Sequence, residues 1–113
     1  RAARVPVDIA VVARVAEVGE IQARISDLSV GGLALQCSQP LPVNREMLTQ
    51  FSLPGITGMI HAAGKIVNAN DTGRAGVRFS FIPEEDRNFL ENWLAIELAK
   101  LENAEMPTGD AVN

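Results

Sequence analysis

Arginine supplies most of the positive charge in this chain: of ten basic residues eight are Arg, and there is one His and one Cys. A guanidinium is a planar fork of donors that matches phosphate oxygens, or the acceptor edge of guanine, two bonds at a time. Such a bias suits recognition of a small anionic ligand better than a general cationic coat would. Two arginines, Arg1 and Arg4, stand ahead of the first apolar segment, and the run Asp27-Leu28-Ser29-Val30-Gly31-Gly32 lies between two later ones. By residue type alone that run is a turn, with Asp and Ser side chains bonding local backbone and glycine accepting unusual dihedrals. The arginine pair alone is a solvated terminus.

Other reactive side chains have ordinary readings. Glu84, Glu85 and Asp86 form the densest carboxylate cluster, at a place where a helix begins. Carboxylates there complement the positive end of the helix dipole. His61 falls in a strand pattern, and Cys37 follows the apolar register as a small core residue. There is no glycine-rich phosphate loop, nucleophile elbow or metal-ligand spacing, so no enzyme is expected, and neither a metal nor a cofactor.

The elements that must position these groups show in the period of the sequence. Val5, Val7, Ile9 and Val11 alternate; Ile21, Ala23 and Ile25 do so next, with Gln22, Arg24 and Ser26 opposite. Leu33, Leu35 and Cys37 continue the pattern, followed by a weaker run of Met47, Thr49, Phe51 and Leu53. Residues 58–68 read as a strand whose small residues Ala62, Ala63 and Gly64 let another backbone pass close. After a turn at Asn70-Asp71-Thr72-Gly73, Ala75, Val77, Phe79 and Phe81 should face inward, with Arg74, Arg78 and Ser80 outward. Six half-buried strands separated by turns imply an antiparallel barrel or sandwich. At Pro83 the period changes, and Phe89, Leu90, Trp93, Leu94, Leu98 and Leu101 make one apolar stripe on a helix of about five turns. Residues 1–103 are therefore expected to form one domain and 104–113 a polar tail.

Charge is unevenly placed within the net −4. Residues 84–113 hold eight acids against two bases, whereas residues 1–83 hold eight bases against six acids. That balance argues against a long nucleic acid as partner. No apolar run approaches the roughly 20 residues of a membrane-spanning helix, so the domain itself is not expected to need membrane contact. A single cysteine fits a reducing compartment, and the expected location is cytoplasmic, including the cytoplasmic part of a membrane protein. A chain opening on Arg1 reads as a domain taken from something longer.

Arg4 ahead of the first strand, Asp27-x-Ser29-x-x-Gly32 after the second, and Gly73-Arg74-Ala75-Gly76-Val77-Arg78-Phe79 before an amphipathic helix together resemble the PilZ domain. This is a bacterial receptor module for the second messenger cyclic di-GMP. The resemblance covers residues 1 to about 101. The family's RxxxR motif is incomplete: Arg4 fits its second arginine, the first would precede residue 1, and Arg1 matches the extra arginine of an RRxxR run. The resemblance implies a six-stranded antiparallel split β-barrel with a C-terminal α-helix, acting as a non-catalytic receptor. It implies cyclic di-GMP contacts at Arg1, Arg4, Asp27, Ser29, Gly32 and Arg78. Asp27 would accept from guanine N1 and N2 hydrogens, Ser29 would donate or accept beside it, and Gly32 would permit the turn and leave room for the ligand. Binding would order the arginine-bearing terminus and reposition an adjoining domain or effector protein, with outputs such as exopolysaccharide (cellulose) synthesis or motility. Some PilZ-like domains are instead adaptors that do not bind the messenger, and that is the main alternative; against a small-barrel enzyme or oligonucleotide binder stand the lack of a catalytic constellation and the net charge of −4.

Overall fold

A computed structural model describes residues 3–105 of the chain, with the side chains of 103–105 set aside. The six alternating segments are six strands: β1 (Val5–Val15), β2 (Gly19–Leu28), β3 (Gly32–Cys37), β4 (Glu46–Phe51), β5 (Ile60–Ala69) and β6 (Arg74–Phe81). They close into an antiparallel barrel in the order β1-β2-β3-β6-β5-β4, with β4 returning to β1 through Val12–Val15. A single helix, α1 (Glu84–Glu105), follows.

Inward residues of the alternation fill the barrel. Val15, Ile25, Leu28, Leu33, Leu35, Phe51 and Ile66 are nearly or wholly removed from water. Burying a side chain of this size contributes roughly 1.5–3 kcal/mol, so the interior is the main stabilising element. Gly64 is the close-approach position its neighbours suggest: a Cβ there would lie 2.7 Å from the Arg78 carbonyl oxygen on β6.

The Pro83 carbonyl accepts the first helical bond, from the Arg87 N–H at 2.8 Å. Leu90, Trp93 and Leu94 are buried as one helical face, and the Trp93 indole N–H donates to the Pro54 carbonyl at 3.2 Å. The helix is also pinned from its first turn. Asp86 Oδ2 accepts the His61 backbone N–H at 2.8 Å and lies 3.0 Å from the ring Nδ1. That backbone N–H, and then the ring, holds the Asp86 carboxyl below the usual carboxylate range. The carboxylate cluster thus does more than complement a dipole, since one member ties α1 to β5.

Two expectations about aromatic residues fail. Phe81 is 62 % exposed. The β5–β6 register passes from Gly64↔Phe79 to Ala63↔Phe81, so Ser80 is an extra residue that turns Phe81 outward. Phe89 is 54 % exposed, because the helix meets the barrel through Leu90, Trp93 and Leu94, leaving the Phe89 edge outside the contact.

Candidate functional site

The site is built where β2 hands over to β3. Strict alternation from Ile25 would send Asp27 into the core. Instead the β2–β3 register passes from Ile25↔Leu35 to Asp27↔Ala34, which makes Ser26 a bulged residue. Asp27 therefore takes the outer face beside Ala34, while Leu28 returns to the core opposite Leu33. Across β6 the same face carries Arg74, Gly76 and Arg78, which pair with Gln36, Ala34 and Gly32 of β3.

Asp27 is the centre of this face. Its side chain is 18 % exposed and receives two guanidiniums: Arg4 Nη1 on Oδ1 at 2.5 Å and Arg74 Nη2 on Oδ2 at 3.4 Å. Arg74 Nη1 also donates to Ser26 Oγ at 3.2 Å. Arg4 reaches Asp27 because β1 begins alongside the end of β2, with Pro6 paired to Asp27. Arg78 is exposed opposite Gly32, and exposed Lys65 pairs with it from β5. Four cations thus stand on one carboxylate-bearing face of a chain whose net charge is −4, which focuses an attractive potential for anions there.

Ser29 and Gly32 build the turn between β2 and β3. Ser29 is 4 % exposed; its Oγ accepts the Gly31 N–H and donates to the Gly32 carbonyl, both at 3.3 Å. Its backbone N–H also donates to the Gly32 carbonyl, at 2.9 Å. The hydroxyl closes the turn and has little left for a ligand. Gly32 lies outside the positive-φ region. It is required because a Cβ would lie 2.1 Å from the Val77 carbonyl oxygen, so β6 backbone rather than a ligand occupies that space. Of the six expected contacts, Arg4 and Asp27 are brought into direct contact and Arg78 shares their face. Ser29 and Gly32 shape the turn, and Arg1 lies outside the described residues.

Arg74 and Ser26 are the members that sequence reasoning left out. The sequence places Arg74 outward and four residues from Arg78, a same-face signal. Its reach to Asp27 depends on the β2–β3–β6 adjacency and on the bulge.

A separate groove of about 990 Å³ opens on the outside of β1, β2, β4 and β5, lined in part by Val12, Leu48, Gln50, Met59 and Phe81. Neither Arg4, Asp27, Arg74 nor Arg78 lines it. Among the described residues no three His, Cys, Asp or Glu side chains gather in a way that could hold a metal ion.

A PilZ domain model matches residues 1–95. The chain belongs to the PilZ domain family. Solved structures agree on the fold. The Bacillus subtilis inhibitor of motility (MotI/DgrA) superimposes with a TM-score of 0.71 at 18 % identity, over 94 % of this chain and 53 % of that one. This chain thus spans about half the length of that protein. The PilZ domain of CeSA from a cellulose-synthesizing bacterium gives a TM-score of 0.61 at 23 % identity, over 75 % of this chain and 87 % of that one. No curated protein matches the sequence. PilZ domains are regulatory binding modules.

Proposed function

We propose that this domain is a receptor for cyclic di-GMP that couples the messenger to an adjoining domain or effector protein. The observation that carries the proposal is the convergence of Arg4 and Arg74 on Asp27, on a cationic outer face shared with Arg78 and Lys65. Cyclic di-GMP presents two anionic phosphates and two guanines. Guanidinium forks fit the phosphates and the O6/N7 edge, and a carboxylate fits the N1 and N2 donors.

In the free protein the Asp27 carboxylate is occupied by the protein's own arginines. A guanine that takes its oxygens releases Arg4 to fold over the ligand. The exchange replaces one charge-assisted set of bonds by another, and its result is a reordered N-terminal segment. Any domain attached upstream of β1 senses that change. Motility control and cellulose synthesis, the settings named for the two structural neighbours, are the outputs this reading favours, at a cytoplasmic location. No catalytic step is part of it.

Isothermal titration with cyclic di-GMP is the test. Binding should be saturable, with linear and mononucleotides far weaker. Asp27→Ala should cost about 1–3 kcal/mol of affinity. An Asp27→Ala protein that is folded and binds as tightly as the parent refutes the site.

The adaptor reading has one observation in its favour, the groove displaying Val12, Leu48 and Phe81, which none of Arg4, Asp27, Arg74 and Arg78 lines. Absence of cyclic di-GMP binding in the titration would select it.

A further inference from the structure

Arg74, like Arg78, lies outside the family's two sequence motifs, and it alone of the two touches Asp27. It is held from both sides: Nη2 on Asp27 Oδ2 and Nη1 on Ser26 Oγ. Yet half of its side chain is open to solvent. Its guanidinium therefore stays reachable from water while it is held beside Asp27. Between Arg74 and Arg78, whose Cα atoms are about 13 Å apart by strand geometry, β6 places only Gly76 on this face, and the Asn68 side chain of β5 covers it.

The chemistry of guanine matches an aspartate and an arginine set side by side. Around the purine ring the N1 and N2 donors are followed directly by the O6 and N7 acceptors. A carboxylate on the first pair leaves a neighbouring guanidinium facing the second. Adenine reverses the pattern, with an acceptor at N1 and an amino donor at C6, so the same two side chains would meet groups of the wrong sense. An unpaired or mismatched polar group in such a site is costly, which is how a modest contact becomes discrimination.

We infer that Arg74 is a ligand-reading residue: with Asp27 it forms the edge that recognises one guanine of the messenger and rejects adenine. The bulge at Ser26 aims the carboxylate, and the Ser26 hydroxyl holds the fork in the plane of that edge. This inference rests on the receptor reading above, and it assigns base selection to the β2–β6 pair rather than to the N-terminal arm alone.

The experiment is titration of cyclic di-GMP and cyclic di-AMP into the parent protein, Arg74→Ala, Arg74→Lys, Asp27→Asn and the Asp27→Asn/Arg74→Ala double variant. Thermal midpoints are recorded for each. Arg74→Ala should lower cyclic di-GMP affinity ten- to a hundredfold and lower cyclic di-AMP affinity much less, so that discrimination collapses. Arg74→Lys should recover little, because a point charge cannot replace the fork. In the Asp27→Asn background, Arg74→Ala should still cost at least about tenfold. No further loss there would show that Arg74 acts only by positioning Asp27, and overturns the inference. Equal weakening of both ligands would place Arg74 on a phosphate and overturns it too, as does unchanged affinity in Arg74→Ala. In all three of those cases the parent still binds cyclic di-GMP. A parent that fails to bind removes the receptor reading and this inference with it.

Discussion

Gly32 allows the sharpest test of how the site is built. In Gly32→Ala the new methyl carbon would lie 2.1 Å from the Val77 carbonyl oxygen, 3.2 Å from its carbon and 3.3 Å from the Arg78 Cα. All three are backbone atoms, so no side chain can swing aside. Relief needs β3 and β6 to separate by about 1 Å, the shortfall against the shortest contact that real Cβ atoms show. The ladder around the contact resists that movement. Phe79 N–H donates to the Gly31 carbonyl at 2.9 Å, and the two strands stay paired from Gly32↔Arg78 to Gln36↔Arg74. Overpacking of this kind costs typically 1–3 kcal/mol when side chains can adjust, and a backbone clash belongs at or above the top of that range, about 3 kcal/mol. For a domain whose whole stability is about 5–15 kcal/mol, that is a large fraction. Urea denaturation followed by far-UV circular dichroism should show the midpoint fall by roughly 2 M, taking a slope of about 1.5 kcal/mol/M. Gly31→Ala is the control, because a Cβ there meets nothing within 4 Å and φ is not positive. It should stay within about 0.5 kcal/mol of the parent. A Gly32→Ala protein as stable as Gly31→Ala would refute the reasoning and return Gly32 to the role of making room for a ligand.

Three other measurements probe the frame. Trp93→Ala removes a side chain that is only 8 % exposed together with its bond to Pro54, and should destabilise by about 3–5 kcal/mol in the same urea assay. Asp86→Ala should cost roughly 1 kcal/mol at neutral pH. Because the folded-state pKa of Asp86 is lowered, its contribution is present above about pH 4 and lost as pH falls through the folded value, so parent and variant should converge in acid. A difference that stays constant to pH 2 would contradict the His61 tie. Cys37 is buried and burial raises its thiol pKa, so a disulfide-exchange reagent at pH 8 should label it at least about tenfold more slowly in the native protein than in urea.

Much of the barrel was legible because a half-buried strand must alternate, and six such runs leave few ways to hide their apolar faces. The alternation of Ile21, Ala23 and Ile25, and of Leu33, Leu35 and Cys37, carried directly into the core. The errors fall where the count of residues slips. Phe81 follows the bulge at Ser80, and period alone assigns it to the wrong side. Asp27 follows the bulge at Ser26, so its outward aim belongs to the pairing of β2 with β3 and not to either strand by itself. Arg74 was legible as exposed but not as a partner of Asp27, since the two are 47 residues apart and meet only when β3 is placed between β2 and β6. Phe89 shows the same limit on the helix: an apolar stripe wider than the barrel mouth has an edge that periodicity cannot assign.

The bulge at Ser26 also has an evolutionary meaning. Ser26 is the surplus residue, and Asp27 and Leu28 beyond it stand opposite Ala34 and Leu33 in ordinary register. A single-codon deletion of Ser26 would therefore leave plain alternation, with the carboxylate still outside and the leucine still inside. What it would remove is the hydroxyl that holds the Arg74 fork, together with the local twist a bulge adds. Related chains whose β2 is one residue shorter at this point are thus the natural places to find domains that keep the aim of the aspartate but have lost the brace on its arginine.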